Sequence, residues 1–344
     1  MHTPFTHRIA LMNSSYSTRS LILYGRTACD NEPRLRRLLR NGWQIITLPD
    51  EGDIAALREA LSKATAMISL GWKAEWKDAT TTLRMIQAPG AGVDAYDAKA
   101  LPKGCALCNV YEHATPIAEY TMGALVALTT GMVRRDRAFR QGSWEGTGRR
   151  DGIPHDELCG STLGLIGYGT IGREIAVRAH AFGMKLRAVR SRATHEGDPL
   201  LEWIGGPERL RELLETSDHV VVCCPLTEST RGLLNAERLS WMKPTAQLVN
   251  VARAEVADEQ ALYEALKSRR IAGAALDVWY RYPASGFDVM LPSTAPFHEL
   301  ENIVMTPHLC AWTHAMVERR WTKMAANLDA LAEGRALQNV VAQA

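Results

Sequence analysis

Two periodicities alternate along most of the chain. Short apolar runs of strand length, Leu21–Tyr24, Gln44–Leu48, Ala66–Ser69 and Met85–Ala88, are separated by stretches with apolar residues at helical spacing, such as Pro33–Arg40 and Ile54–Lys63. With a further strand expected at Ala106–Val110, the series from Thr18 to about Ala114 reads as a small parallel α/β unit. A second series begins at Ser161 with strand Thr162–Ile166 and a helix whose apolar residues are Ile171, Ile175, Ala179 and Phe182, closed by Gly183. Strand Lys185–Val189, helix Glu208–Leu214, strand His219–Cys224, helix Ala236–Met242, strand Gln247–Val251, helix Asp258–Arg269 and strands Ala272–Val278 and Ile303–Thr306 follow. Alternation of this length predicts a doubly wound sheet with ligands at the carboxyl ends of its strands. Between the series, Ile117–Val133 reads as a long buried helix, too short and too rich in Gly and Thr to span a membrane. The last helix, Val317–Glu333, follows the second series and is free to return to the first unit.

The junction after strand Thr162–Ile166 is Gly167-Tyr168-Gly169-Thr170-Ile171-Gly172. In a GxGxxG turn the first glycine permits the tight bend, the second lets a pyrophosphate approach the backbone, and the third lets helix pack on strand. The helix N-terminus then offers N–H groups to a phosphate. The strand before, the helix after and strand Lys185–Val189 supply the context that separates a dinucleotide site from an ordinary glycine turn. Where such a fold normally ends its second strand in an acid that accepts from the ribose 2′-OH of NAD, this chain has Arg190-Ser191-Arg192. A carboxylate would repel a 2′-phosphate, whereas two guanidiniums and a hydroxyl bind one. The residues therefore predict NADP as cofactor, with NADPH preferred over NADH.

Length and composition fit a two-domain enzyme. The 344 residues exceed what one hydrophobic core spans, and a formal net charge of +2 gives no electrostatic case for a nucleic-acid or membrane partner. Seven cysteines, with no basic start and apolar core within Met1–Ser20, predict reduced thiols and a cytoplasmic location. Cys105-Ala106-Leu107-Cys108 has CxxC spacing, yet it lies in an expected strand without a second pair at zinc-ribbon distance. It and Cys223-Cys224 read as packing, and no metal is expected.

The candidate chemistry gathers at strand ends. Asn250-Val251-Ala252-Arg253 follows one strand, Asp277-Val278-Trp279-Tyr280-Arg281-Tyr282-Pro283 another, and Thr306-Pro307-His308 a third. Beside a nicotinamide, an arginine and a histidine suit carbonyl reduction: a fixed cation to hold a carboxylate and polarise C=O, and an imidazole to deliver the proton. His113, His298 and His314 are the alternative histidines. Trp72, Trp279, Tyr282 and Trp312 are aromatic candidates for the cleft wall, with simple packing as the alternative.

The ordered motifs ELCGSTLGLIGYGTIG, CCPLTESTRGLLNAERLSWMKPTAQLVNVARAEVADEQAL, GAALDVW and TPHL resemble the D-isomer-specific 2-hydroxyacid dehydrogenases, which include glyoxylate/hydroxypyruvate reductases, phosphoglycerate dehydrogenase and formate dehydrogenase. The likeness runs from about Leu21 to the C-terminal helix. It implies an α/β fold of two doubly wound parallel-sheet domains, a Rossmann cofactor domain (116–308) inserted in a flavodoxin-like substrate domain (1–115, completed by 309–344). It further implies that Arg253 binds substrate, His308 is the acid/base and Asp277 contacts the nicotinamide side. Cofactor contacts are implied from Gly167, Tyr168, Gly169, Thr170, Ile171, Gly172, Arg190, Ser191, Arg192, Cys224, Pro225, Thr230, Val251, Ala252, Arg253, Asp277 and His308. Gly90–Asp94, with Ala91 and Gly92, resembles the loop whose N–H groups hold the substrate carboxylate; Ser69–Trp72, with Leu70, Gly71 and Trp72, resembles the other substrate loop. A dimer arm within Pro116–Gly142, near 116–150, implies a homodimer.

One departure from the family pattern is informative. Tyr282 stands where the family places its catalytic glutamate, just before the proline after the DVW strand, and is expected to take a catalytic place beside His308. Being neutral, it would orient the ring without supplying charge, unless Glu299 or Glu301 replaces the missing carboxylate. The motif ARAE, where ARG is usual, is read as loop variation. The reading is an NADPH-dependent reductase of a small 2-keto acid. Its rivals are an NADP(H)-binding regulatory or scaffold protein without turnover, and a formate-type dehydrogenase, suggested by the tryptophan after DV.

Overall fold

The computed structural model describes residues 19–144, 152, 154–191, 198–283 and 288–344. They fall into two units, one of the described residues up to Glu112 with Thr313–Ala344, the other His113–Trp312. In the first unit, strands β1 (Ser20–Tyr24), β2 (Gln44–Leu48), β3 (Ala66–Ile68), β4 (Met85–Gln87) and β5 (Ala106–Cys108) pair in parallel in the order β2-β1-β3-β4-β5. This is the flavodoxin-like order. Every residue of β1 is buried, as befits a central strand covered on both faces. The C-terminal strand Val340–Gln343 adds an antiparallel edge on β5. Helix His314–Ala332 packs Trp321, Met324 and Leu328 into the core against Leu21, Leu23 and Ile68.

The second unit holds β6 (Thr162–Ile166), β7 (Lys185–Val189), β8 (Trp203–Gly205), β9 (His219–Val222), β10 (Gln247–Asn250), β11 (Gly273–Leu276) and β12 (Ile303–Met305). All pair in parallel, in the order β8-β7-β6-β9-β10-β11-β12. The chain leaves β6 first towards β7 and later returns to β9 on its other side. That reversal opens the crevice in which doubly wound sheets bind ligands.

Three expectations need correction. The apolar run Ile117–Val133 is not one helix: helix Ala114–Thr130 ends at Gly131 (φ 62°), and helix Met132–Arg140 begins beyond it and buries no residue. Glycine adopts the left-handed turn without a Cβ penalty, and the sequence after it turns strongly charged. Several strands stop one or two residues early, because Ala88, Val251, Cys223 and Val278 belong to the loops at the carboxyl ends. The strands β8 and Val340–Gln343 were not foreseen; both are short edge strands, and the second is largely exposed. Burial pushes the Cys105 and Cys108 thiols up to about 12 and about 11, and all seven cysteines are unpaired. Among the described residues no helix is long and apolar enough to cross a membrane, and no cluster of His, Cys, Asp and Glu is placed to hold a metal ion.

Candidate active site

The three glycines of the β6 turn do different work. Gly167 has φ 106°, and a Cβ on it would lie 2.7 Å from the Cys224 nitrogen in the loop after β9. A Cβ on Gly172 would lie 2.6 Å from the Gly167 oxygen. Cys223 completes this packing by donating its thiol hydrogen to the Gly167 carbonyl at 3.0 Å. Gly169, by contrast, would point a Cβ into open space, with no protein atom within 4 Å. It also caps helix Thr170–Ala181 without any side-chain hydrogen bond, so the first N–H groups, at exposed Thr170 and half-buried Ile171, remain for an anion. A backbone cradle facing a helix N-terminus across empty space fits the pyrophosphate of a dinucleotide.

The rim of that cradle is formed by neighbouring strand ends. Tyr168 is half-buried beside Gly169. Arg190 leaves β7 with its N–H on the Gly205 carbonyl at 3.0 Å, and its guanidinium has no ion-pair partner among the described residues; Ser191 beside it is exposed. Arg192 lies outside the described residues. After β9, Cys224 is buried, its thiol pushed up to about 11. The Thr230 hydroxyl donates to the Pro225 carbonyl at 2.8 Å and accepts from the Thr227 N–H at 2.7 Å, which shapes the loop.

Arg253 is presented by a turn that Asn250 builds. Buried at the end of β10, the Asn250 side chain accepts from the Ala252 N–H at 3.1 Å and donates to the Arg253 carbonyl at 3.0 Å. Val251 is buried within the turn, and Arg253 Nη1 donates to the Ala252 carbonyl at 2.8 Å. The Asn250 side chain was not singled out from sequence. The available signal was a polar residue closing an otherwise apolar strand, since a buried amide survives only when hydrogen-bonded.

His308 follows β12 at φ 54°, a left-handed conformation that costs a non-glycine residue about 1–3 kcal/mol. The fully buried Asp277 carboxylate, at the end of β11, sustains it. Oδ1 accepts from the Leu309 N–H at 2.9 Å and Oδ2 from the Cys310 N–H at 2.9 Å, while the Trp279 indole N–H donates to the Thr306 carbonyl at 2.8 Å. The carboxylate expected on the nicotinamide side is thus engaged beneath the His308 turn. Trp279, an aromatic candidate for the cleft wall, is buried in packing.

Tyr282 reaches the histidine directly. Its Oη accepts from the Trp279 N–H at 3.2 Å and lies 2.9 Å from His308 Nδ1, so in the Nε2–H tautomer of the neutral ring the phenol hydrogen points at Nδ1. Burial pushes the Tyr282 pKa up, which keeps the phenol neutral. Burial pushes the His308 pKa below its ordinary value; Asp277 opposes the shift and Arg253 adds to it. The alternative carboxylates are elsewhere: Glu299 lies 3.9 Å from His298 Nε2, and Glu301 lies 3.8 Å from Arg269.

In the first unit, Leu70 is exposed and Gly71 is pressed against the Ala95 carbonyl. Trp72 is a correction: its side chain is 1 % exposed, its indole N–H donates to the Ala100 carbonyl at 3.0 Å, and its backbone N–H donates to Ala95, so it is a core residue. Asn109 Nδ2 holds the Ala91 carbonyl at 2.9 Å, and half-buried Ala91 leads into exposed Gly92.

Residues 122–310 match the family model described as D-isomer specific 2-hydroxyacid dehydrogenase, NAD binding domain. The chain belongs to the D-isomer-specific 2-hydroxyacid dehydrogenases. It is 36% identical over 282 residues to a hydroxypyruvate reductase of Thermotoga maritima, covering 80% of this chain and 83% of that one. It is 35% identical over 278 residues to a glyoxylate reductase of Korarchaeum cryptofilum, with 78% and 79% covered. Among solved structures, an NADPH-dependent glyoxylate/hydroxypyruvate reductase of Sinorhizobium meliloti, in complex with NADP and malonate, superimposes with a TM-score of 0.76 at 25% identity, covering 95% of this chain and 97% of that one. As a 2-hydroxyacid dehydrogenase, the protein is an oxidoreductase with an NAD-binding domain, and the GYGTIG cradle lies within the matched residues.

Proposed function

We propose that this dehydrogenase is an NADPH-dependent reductase of small 2-keto acids of the glyoxylate and hydroxypyruvate class, giving the D-2-hydroxy acid. The observation that carries the reading is the placement of Arg253 and His308 at the carboxyl ends of β10 and β12, in the sheet whose β6 turn fits a dinucleotide. The names of the relatives point to the same substrates. When bound, the cofactor supplies the hydride. The Arg253 guanidinium forks onto the substrate carboxylate and keto oxygen, and protonated His308 hands the Nε2 proton to that oxygen. Tyr282 holds Nδ1 throughout: its hydroxyl accepts from Nδ1–H in the charged ring and in the ring that has just given up its Nε2 proton, and it donates to Nδ1 when the neutral ring carries its hydrogen on Nε2. Leu70, Gly71, Ala91 and Gly92 are proposed as substrate-loop residues on the family likeness, and a cytoplasmic setting accords with seven unpaired thiols.

The coenzyme preference rests on Arg190, Ser191 and Arg192. Steady-state kinetics with glyoxylate or hydroxypyruvate should give a higher kcat/KM with NADPH than with NADH. Replacing Arg190 and Arg192 together should weaken NADPH by at least about tenfold, the scale of a lost charge-assisted contact, and NADH far less. Equal or better efficiency of the parent with NADH rejects the assignment.

The pH profile follows from the neutral tyrosine. Reduction needs the imidazolium, whose pKa lies below the ordinary value of about 6.5, so kcat/KM should decline as pH rises through that lower value. Tyr282→Glu places a negative charge beside the ring, favours its protonation and should move the falling limb to higher pH. A parental plateau extending well past neutrality would show that another carboxylate supports His308. Arg253→Lys should also slow reduction markedly, because a point charge cannot reproduce the forked contact.

A homodimer is proposed through the arm formed by Ala114–Thr130 and Met132–Arg140. The second helix buries nothing, and Met132, Val133, Phe139 (55 % exposed) and Trp144 (66 % exposed) present apolar surface, with the Phe139 and Trp144 rings edge-to-face at 5.0 Å. Sedimentation equilibrium should return twice the 38.0 kDa chain mass, and Phe139→Glu should return the single mass. A parent sedimenting as one chain would contradict this.

A further inference from the structure

The turn that presents His308 is tied to a hydroxyl on a distant helix. Tyr120, in the second turn of helix Ala114–Thr130, places its Oη 2.6 Å from Thr306 Oγ1, which in turn lies 2.6 Å from Asp277 Oδ1. A carboxylate only accepts, so the Thr306 hydroxyl donates to Asp277, and the hydrogen between the two hydroxyls belongs to Tyr120. Burial pushes the Tyr120 pKa up to about 12, so the phenol keeps that hydrogen at neutral pH. Every donor in the chain is therefore assigned: Tyr120 to Thr306, Thr306 to Asp277, and the Leu309 and Cys310 N–H groups to the same carboxylate. The Thr306 carbonyl meanwhile accepts from the His308 N–H at 3.0 Å and from the Trp279 indole at 2.8 Å. Thr306 thus touches both the carboxylate beneath the turn and the backbone of the histidine.

We propose that Tyr120 and Thr306 are positioning residues that act through Asp277 on His308, fixing its place and sustaining the negative charge that faces its ring. The reading of His308 as proton donor underlies the catalytic part of this inference. The groups facing His308 are Asp277, which favours the imidazolium, Arg253, which disfavours it, and the neutral Tyr282 hydroxyl. Those facing Asp277 are the neutral Tyr120 phenol and the Cys310 thiol, which burial keeps protonated. A carboxylate that loses its shortest donor is held less firmly against the Leu309 and Cys310 N–H groups, so the turn carrying His308 loosens and the ring lies less closely under the negative charge that favours its protonation.

The test compares Thr306→Val, Tyr120→Phe and Thr306→Ser with the parent. The His308 ring C–H signals are followed by NMR against pH in the cofactor-free protein, and kcat, keto-acid KM and NADPH affinity are measured alongside. In Thr306→Val the ring should titrate at lower pH and kcat for reduction should fall about tenfold or more, as for a misplaced catalytic group, with KM and NADPH affinity within about twofold of the parent. Tyr120→Phe should move both quantities in the same direction by less, and Thr306→Ser should restore them. Parental ring titration in both Thr306→Val and Tyr120→Phe overturns the proposal, as does a parallel loss of melting temperature, kcat, KM and cofactor affinity with an unmoved titration. If Thr306→Val does not fold, Tyr120→Phe set against Thr306→Ser decides by the same criteria. Should the parent reduce no 2-keto acid, the reading of the reaction fails, while the ring titration still decides whether these hydroxyls act on His308.

Discussion

One buried carboxylate organises the turn that carries His308 at the carboxyl end of the second unit's sheet. Asp277, with no exposed surface, lies at the tip of β11 and gathers a hydroxyl and two successive backbone N–H groups from the segment after β12. An unpaired carboxylate in that position would cost several kcal/mol. The chain after β12 is therefore drawn into a tight turn, and the residue at its bend, His308, takes a left-handed backbone conformation that few side chains adopt. The same negative charge that folds the turn faces the imidazole and opposes the burial that pushes its pKa down.

The rest of the site follows from the sheet. Parallel pairing puts the carboxyl ends of β6, β9, β10, β11 and β12 on one side, and the reversal of strand order beside β6 leaves room for a ligand there. Each loop then needs its own internal clamp. Asn250 supplies one for Arg253, Asp277 one for His308, and the contact of Gly167 with the Cys223–Cys224 loop one for the dinucleotide cradle. Tyr282 is bound into this scheme by the Trp279 N–H, so its hydroxyl is oriented before it meets His308.

Much of this was legible in the sequence because its signals are local. Strand β6, the glycine turn and β7 were found to the residue, since an apolar run, three glycines at fixed spacing and a second apolar run specify them without distant contacts. That Arg253, Asp277 and His308 follow strand ends was equally legible. What escaped notice depends on partners far away in the chain. For Trp72 both cleft wall and packing were open readings, and packing is decided by the indole N–H donating to the Ala100 carbonyl, 28 residues on. Asp277 reads as a ligand contact until its three donors, about 30 residues downstream, close around it. Tyr120 gives no signal at all, because its partner Thr306 lies 186 residues away. The break at Gly131 was within reach, a glycine at the point where apolar sequence turns charged, but the hydropathy of the run masked it.

The central claim is that His308, held by Asp277 and Tyr282, protonates the oxygen of a 2-keto acid while NADPH is consumed. The most direct measurement is stoichiometric: NADPH oxidation with hydroxypyruvate, chiral analysis of the product, and the same assay on His308→Ala. The account predicts one D-2-hydroxy acid formed per NADPH, and in His308→Ala a chemical rate lowered by about a hundredfold or more with NADPH affinity nearly intact, as expected for loss of a general acid. An L product, near-parental turnover in His308→Ala, or a protein that binds NADPH yet reduces neither glyoxylate, hydroxypyruvate nor larger 2-keto acids would contradict it.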